Sequence, residues 1–347
     1  MLMRHTVCAV LALTTCAAAV HAQTLNERVR ADVRDRVEAV RTVRYQQGRE
    51  EQTDRQTKTF KIGSDGELTL GNVAGDIVVT RATGSEATVE IVKTARARTV
   101  EEAREQLGLV TVNVVERARR AEVKTVYPNE ERRNNRRNFN VSVAYTVSTP
   151  ANTRLTIGSV SGSIKVSDIK GELSANSISG AVHIGNAGRI AAAKSISGDV
   201  EIADTQTDGA VEAQSISGSV LLRKLNARRI DIGSVSGSIV IQDVQCDRVE
   251  AHSVSGNVEF GGALAKGGRY ELNSHSGDVR MAIAGGTGFE IEANSFSGSV
   301  RSDFSLTAQA NSDGDRRGRR SLHGVFGDGS AVLDITTFSG SVVVTKR

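Results

Sequence analysis

The chain has 347 residues with 34 Gly, 2 Pro, no Trp and 3% aromatics, so its core is expected to be thin layers of Val, Ile, Leu and Ala rather than a cluster of large rings. A net charge of +4, from 44 Lys and Arg against 40 Asp and Glu, is close to balance and gives no case for nucleic acid as a partner. Of three cysteines, Cys8 and Cys16 lie in a segment expected to be removed, which leaves Cys246 alone and excludes an intrachain disulfide in the mature chain.

In chain order, residues 1–22 read as a signal peptide. Arg4 and His5 form a basic start, residues 7–20 an apolar or small run, and Val20-His21-Ala22 a cleavage site. The run is shorter than the ~20 apolar residues of a membrane span. Export to the periplasm or cell surface is the expectation. Leu13-Thr14-Thr15-Cys16 lacks the small residue that a lipoprotein signal places before its cysteine.

Residues 23–58 are expected to form a charged amphipathic helix and a linker. Thr24 and Glu27 fit a capping box, and Leu25, Val29, Val33, Val37 and Val40 make a narrow apolar stripe over 24–46. That stripe suits packing on its own domain or a partner contact. Residues 47–58 show no periodicity. Residues 59–150 are expected to hold a first coil (Leu68, Leu70, Gly75, Ile77 and Val79) and an α+β excursion over 80–150. The excursion offers strand-like runs at 88–92, 109–115, 121–127 and 139–147 and a short helix near 99–107. It would cap the N-terminal end of a stack.

Residues 151–347 carry an internal repeat. Ser-x-Ser-Gly, with Thr first in the last unit, ends at Gly162, Gly180, Gly198, Gly218, Gly237, Gly256, Gly277, Gly298 and Gly340. Apolar or small residues stand seven and five before each glycine and two and four after it, as in Ile230, Ile232, Ile239 and Ile241 around Gly237. This is strand alternation. Each unit therefore reads as two strands meeting at a glycine, which permits backbone angles closed to other residues at a sharp corner. The fold class is all-β: a β-solenoid of about ten stacked two-strand coils, ~4.8 Å apart. The last step, from Gly298 to Gly340, is twice the usual length. A degenerate coil is expected there, with Leu322-His323-Gly324 as its remnant.

The serine three before each glycine is expected to form a hydroxyl ladder; a nucleophile would need an adjacent base. The residue two before each glycine is Val160, Ile178, Ile196, Ile216, Val235, Val254, His275, Phe296 or Phe338. This column is expected to turn inward as core. Facing outward, it would be an apolar binding surface. Glu212, Asp231, Glu250, Glu271 and Glu292 form an acidic column, and Arg229, Arg248 and Arg269 stand two residues before three of them. Charge neutralisation is the preferred reading over cation binding. Arg132, Arg133, Arg136, Arg137, Arg316, Arg317, Arg319 and Arg320 suit an anionic surface or a solvated loop. Gly285-Gly286-Thr287-Gly288 lacks the Lys and helix of a nucleotide loop. No catalytic residue, cofactor or metal site is expected.

Ser197-Gly198-Asp199-Val200 and Ser276-Gly277-Asp278-Val279, in tandem after a signal peptide, resemble the "VSGDI"-like units of the bacterial putative-adhesin family of unknown function. Gly327-Asp328-Gly329 and Thr337-Phe338-Ser339-Gly340 look like that family's closing coil, and the resemblance covers about residues 60–347. It implies a β-solenoid on the cell envelope, with no established ligand and no catalytic residues. The expected function is non-enzymatic: an exported envelope protein, adhesin-like or scaffolding, whose partners are polysaccharide, lipid headgroups or another envelope protein. One rival is a polysaccharide-active enzyme on the same fold, for which four Tyr and no Trp supply few sugar platforms. The other is an envelope-stress signalling partner.

Overall fold

Alternating branched aliphatics put most of this chain into strands. The computed structural model describes residues 50–128, 139–307 and 320–347. The expected signal peptide, the 24–46 helix, and Arg132, Arg133, Arg136, Arg137, Arg316, Arg317 and Arg319 lie outside them. The described residues divide into two units, Thr53–Ala95 with Glu105–Arg347, and 50–52 with Arg96–Arg104. In the second, Arg96 Nε donates to Glu51 Oε2 at 2.8 Å, and Thr99 Oγ1 accepts from Glu102 N at 3.2 Å at the start of a helix.

In the larger unit each repeat gives one strand before its glycine and one after. The first strands pair in parallel from repeat to repeat, as Arg154–Ser161, Glu172–Ser177 and Arg189–Ser195 do. The second strands do the same, as in Ile164–Ser167, Val182–Gly185 and Val200–Gln206. Leu155, Leu173, Ile190, Val211 and Ile230 therefore line up on one inner face, and Ile164, Val182, Val200, Val220 and Ile239 on the other, all buried. The interior is layered and mostly aliphatic, in an all-β architecture of solenoid type.

Five consecutive coils turn a second corner six residues past the glycine. Asp168, Asn186, Asp204, Lys224 and Asp243 hold φ of 63°, 48°, 50°, 49° and 53° there. Asp and Asn tolerate this left-handed conformation, but Lys lacks their local hydrogen bonding. Lys224→Asn should therefore raise stability by about 0.5–1 kcal/mol. The Lys224–Asp204 ion pair that it removes is 3.7 Å long and solvent-exposed and contributes little. Urea unfolding is the measurement; a lowered midpoint would contradict the strain.

Both ends of the stack break the repeat. At the N-terminal end, Glu67–Ala74 lies between Arg154–Ser161 and Arg120–Val126, and Ile77–Arg81 between Ile164–Ser167 and Val141–Thr149, all in parallel. The excursion thus returns outside the Gly75 coil and adds another layer to it. Antiparallel strands then pair on that layer, Thr111–Arg117 with Arg120–Val126 and Ala87–Ala97 with Val141–Thr149. The expected linker over 47–58 requires correction, because Glu50–Phe60 is a strand paired with Ala87–Ala97. Most of its residues are exposed, so no apolar period marks it. Cross-strand charges register it instead: Arg55 meets Glu90 at 3.0 Å and Lys93 meets Asp54 at 3.4 Å.

The C-terminal end corrects the expected order of coils. Ala331–Thr337 lies between Arg269–Ser274 and Phe289–Ser295, parallel to both. Val342–Lys346 likewise lies between Val279–Ala284 and Val300–Ser302. The last coil in sequence is thus the penultimate coil in space. Leu322-His323-Gly324 is no degenerate parallel coil: it belongs to Ser321–Phe326, which pairs antiparallel with Phe289–Ser295. Phe289, Phe304 and Phe326 pack together there, with ring centroids 4.9–5.4 Å apart.

Candidate binding surface

The repeat glycines Gly75, Gly162, Gly180, Gly198, Gly218, Gly237, Gly256, Gly277, Gly340 and Gly298 stand in one file, in that spatial order. A Cβ on any of them after Gly75 would come within 1.8–2.4 Å of the carbonyl oxygen of the glycine one coil back. Backbone approach, more than backbone angle, therefore demands glycine. Of the ten, φ lies in the left-handed region at Gly75 (+111°) and Gly162 (+152°).

The serine ladder makes that approach favourable. Ser215 Oγ donates to Gly198 O and accepts from Gly218 N, both at 2.9 Å. Ser195, Ser234, Ser253 and Ser295 bridge successive coils in the same way. With the proton donated and a lone pair filled, these hydroxyls hold the corner. At the Gly75 coil Asn72 takes the position, and its Nδ2 donates to Gly75 O at 2.8 Å and Val143 O at 2.6 Å. That occupies the carbonyl Ser159 would use, and the buried Ser159 Oγ is left without a partner among the described residues.

The next residue along faces the other way, which overturns the inward reading of that column. Alternation decides it: the serine at minus three is buried, so the residue at minus two points to solvent. Val160, Ile178, Ile196, Ile216, Val235 and Val254 are each 42–48% exposed, Phe338 47% and Phe296 65%. Main-chain bonds fix their order. Ser179 N donates to Val160 O, Ser197 N to Ile178 O, and so on to Ser339 N on His275 O and Ser297 N on Phe338 O, all at 2.8–2.9 Å. The rings of His275, Phe338 and Phe296 stack in that order, 5.0 and 4.6 Å apart. Registers of Gly71 with Lys124 and Asn72 with Ser159 extend the file through Val73 to Val126.

Neutral, small groups border this ribbon. Ser161, Ser179, Ser197, Ser217, Ser236 and their equivalents run along one side. On the other lie Gly158, Asn176, Gln214, Gly233 and His252, with Lys194 ion-paired to Glu212 at 2.6 Å. Together they form a shallow groove of about 920 Å³ from Val126 to Val254. Arg320, exposed, stands at the aromatic end beside Phe296 and Phe338.

A family model described as Toastrack DUF4097 matches residues 66–345. The chain belongs to the Toastrack DUF4097 family. No curated protein matches it. Among solved structures it is similar to a "putative adhesin" of Parabacteroides merdae, at 10% identity over 84% of this chain and 96% of that one, with a TM-score of 0.45. A "putative adhesin" of Bacteroides fragilis is similar at 13% identity, over 85% and 97%, with a TM-score of 0.41. A "putative lipid binding protein" of Parabacteroides distasonis is similar at 12% identity, over 85% and 97%, with a TM-score of 0.40.

In this Toastrack chain the acidic column runs Glu212, Asp231, Glu250, Glu271, Asp334, Glu292. Asp334 stands six residues before Gly340, the same spacing as the others, and only its place between Glu271 and Glu292 depends on the inserted coil. Neutralisation by arginine holds for the first part: Arg229 and Arg248 both reach Glu250, at 2.9 and 2.5 Å. Burial pushes the Glu250 carboxyl up, but these two guanidiniums outweigh it and hold it below its ordinary value. The second part is different. Burial and the charges of Glu271 and Glu292 push the Asp334 carboxyl up against the opposing pull of Arg269. Among the described residues no group of three or more His, Cys, Asp or Glu is placed to hold a metal ion. Cys246 is buried, and desolvation pushes its thiol up to about 11. Gly285-Gly286-Thr287-Gly288 forms a loop between Val279–Ala284 and Phe289–Ser295.

Changing both Arg229 and Arg248 to Ala should cost about 0.5–1 kcal/mol at pH 7 in low salt. A carboxyl held low in the folded state stabilises above its unfolded pKa, and that contribution is lost as pH falls through the folded value. The deficit should therefore shrink on acidification below about pH 4 and in high salt. Thermal unfolding of both proteins across pH and salt is the check; an unchanged deficit would reject the pairing.

Proposed function

We propose that this chain is an exported, non-enzymatic protein of the cell envelope that binds or scaffolds through the exposed apolar ribbon. The observation that carries the reading is the single file of large aliphatic and aromatic side chains, about half exposed, along one face. Scattered surface hydrophobes need no explanation, but a contiguous file of this length marks an interaction site. We read the stack as about ten coils closed at its N-terminal end by the 80–150 excursion, which makes this face long and regular. The hydroxyls of Ser195, Ser215, Ser234, Ser253 and Ser295 are committed to the corner, and Glu250 to arginines, which supports a binding role over catalysis. Export rests on the basic start, apolar run and small-residue cleavage site of residues 1–22. The eight arginines named above supply a second contact to anionic headgroups or polysaccharide.

The test is co-sedimentation of the mature chain with purified envelope membranes and with envelope polysaccharide. Replacing Ile178, Ile196 and Ile216 by Thr keeps the β-branched shape and should weaken retention at least about tenfold, or ~1.4 kcal/mol, with an unchanged unfolding midpoint. Retention equal to wild type would reject the ribbon as the binding face. Changing all eight arginines to Gln should weaken binding to anionic vesicles, and full binding after that change would reject the second contact.

A further inference from the structure

The ribbon's geometry also says what kind of partner fits it, an inference that rests on the reading of the ribbon as a binding face. We propose that the partner is a second copy of this chain: two molecules pack ribbon on ribbon, antiparallel, about a twofold axis close to Ile216.

Three observations carry this. The first is period. The ribbon presents one apolar side chain per coil, every ~4.8 Å, over roughly 48 Å. A surface that meets such a comb residue against residue along its whole length needs the same spacing, and an identical ribbon has it. The second is area. Each exposed side chain leaves on the order of 70 Å² of mostly carbon surface in water. The file from Val126 to Phe296 thus offers roughly 700–800 Å² per copy, the size of one side of a standard stable interface. The third is charge. The bordering columns are mostly Ser, Gly, Asn and Gln, with His252 among them; Lys124 and Lys194 are paired with Glu122 and Glu212, and Arg320 stands exposed at the aromatic end. Small neutral borders let two ribbons approach without burying unpaired charge.

Size sets the direction. One end of the file is bulky, with His275, Phe338 and Phe296 stacked; the other is Val126, Val73 and Val160. Antiparallel packing lays large on small at both ends and Ile216 on Ile216 at the centre. Parallel packing would lay ring on ring at one end and leave a gap at the other. A twofold arrangement makes the interface isologous and closed.

Sedimentation equilibrium of the mature full-length chain tests the proposal. Wild type should be a dimer in the micromolar range, and Ile196→Lys with Ile216→Lys should weaken association at least about 100-fold while keeping a native far-UV spectrum and losing the concentration dependence of the unfolding midpoint that a dimer shows. Under oxidation Ile216→Cys should give a covalent dimer and Val160→Cys should not, because Val160 faces the His275 end of the other copy. The buried Cys246 does not compete. A wild type monomeric at ~100 µM, corresponding to a dimerisation free energy weaker than about −5.5 kcal/mol, would overturn the proposal. So would a lysine variant that stays dimeric, or equal cross-linking at Val160 and Ile216. If wild type is monomeric but the lysine variant still loses envelope retention, the binding role of the ribbon stands and self-association alone fails.

Discussion

Gly218→Ala should destabilise the protein by about 3–5 kcal/mol, combining an overpacked backbone contact with loss of corner hydrogen bonds. The added Cβ would sit 2.2 Å from Gly198 O, 2.4 Å from its carbonyl carbon and 2.8 Å from Asp199 N. None of these is the movable end of a side chain, so the two coils must part. Parting them stretches the Ser215 bridge, which spans 2.9 Å on each side, and the error is passed to the neighbouring coils through the same file. The control is Gly233→Ala. Its nearest neighbour would be Gln214 Cγ at 3.7 Å, so stability should stay within about 0.5 kcal/mol of wild type. Urea unfolding of the three proteins, with native far-UV spectra compared first, measures both. A loss below about 1 kcal/mol at Gly218 would mean that the corner is softer than its packing implies.

Deleting residues 331–347 should have a larger and more local effect. Ala331, Leu333, Ile335, Val342 and Val344 are fully buried, and their burial alone corresponds to about 10 kcal/mol. The deletion takes a coil from inside the stack. Arg269–Ser274 and Phe289–Ser295 lose the strand between them, and Val279–Ala284 and Val300–Ser302 lose theirs. Coils of a solenoid depend mainly on their neighbours. Those before Val258 should therefore stay folded while residues 289–302 and 321–326 come free. Limited proteolysis should leave a resistant fragment ending near residue 285, and a synthetic 331–347 peptide should restore protection of 289–302 and 321–326 in trans. Continued protection of these two segments without the peptide would show that the inserted coil is dispensable.

The parts legible in the sequence are those that local repetition encodes. Period-two alternation around each Ser-x-Ser-Gly places the inner columns, because a strand's side chains must alternate whatever lies beyond them. The second corner went unread, although Asp168, Asn186, Asp204 and Asp243 recur six residues past the glycine and could have marked it. The strand Glu50–Phe60 was not, since both of its faces are mostly wet and its pairing uses charges and main-chain bonds. The candidate site was half legible. Its residues stood in one column, but the direction they face depended on where the corner begins to turn the chain, and the buried serines answer that.

Sequence alone determined the all-β class, the repeat, the mostly aliphatic interior and the ribbon residues from Val160 onward, because each follows from the order of neighbours within about ten positions. Tertiary structure decided that Gly340 sits between Gly277 and Gly298, that Asp334 stands between Glu271 and Glu292, and that Phe338 completes the aromatic stack. All three depend on insertion of a strand some sixty residues distant, and the energy that places it comes from two flanking coils together rather than from any local pattern.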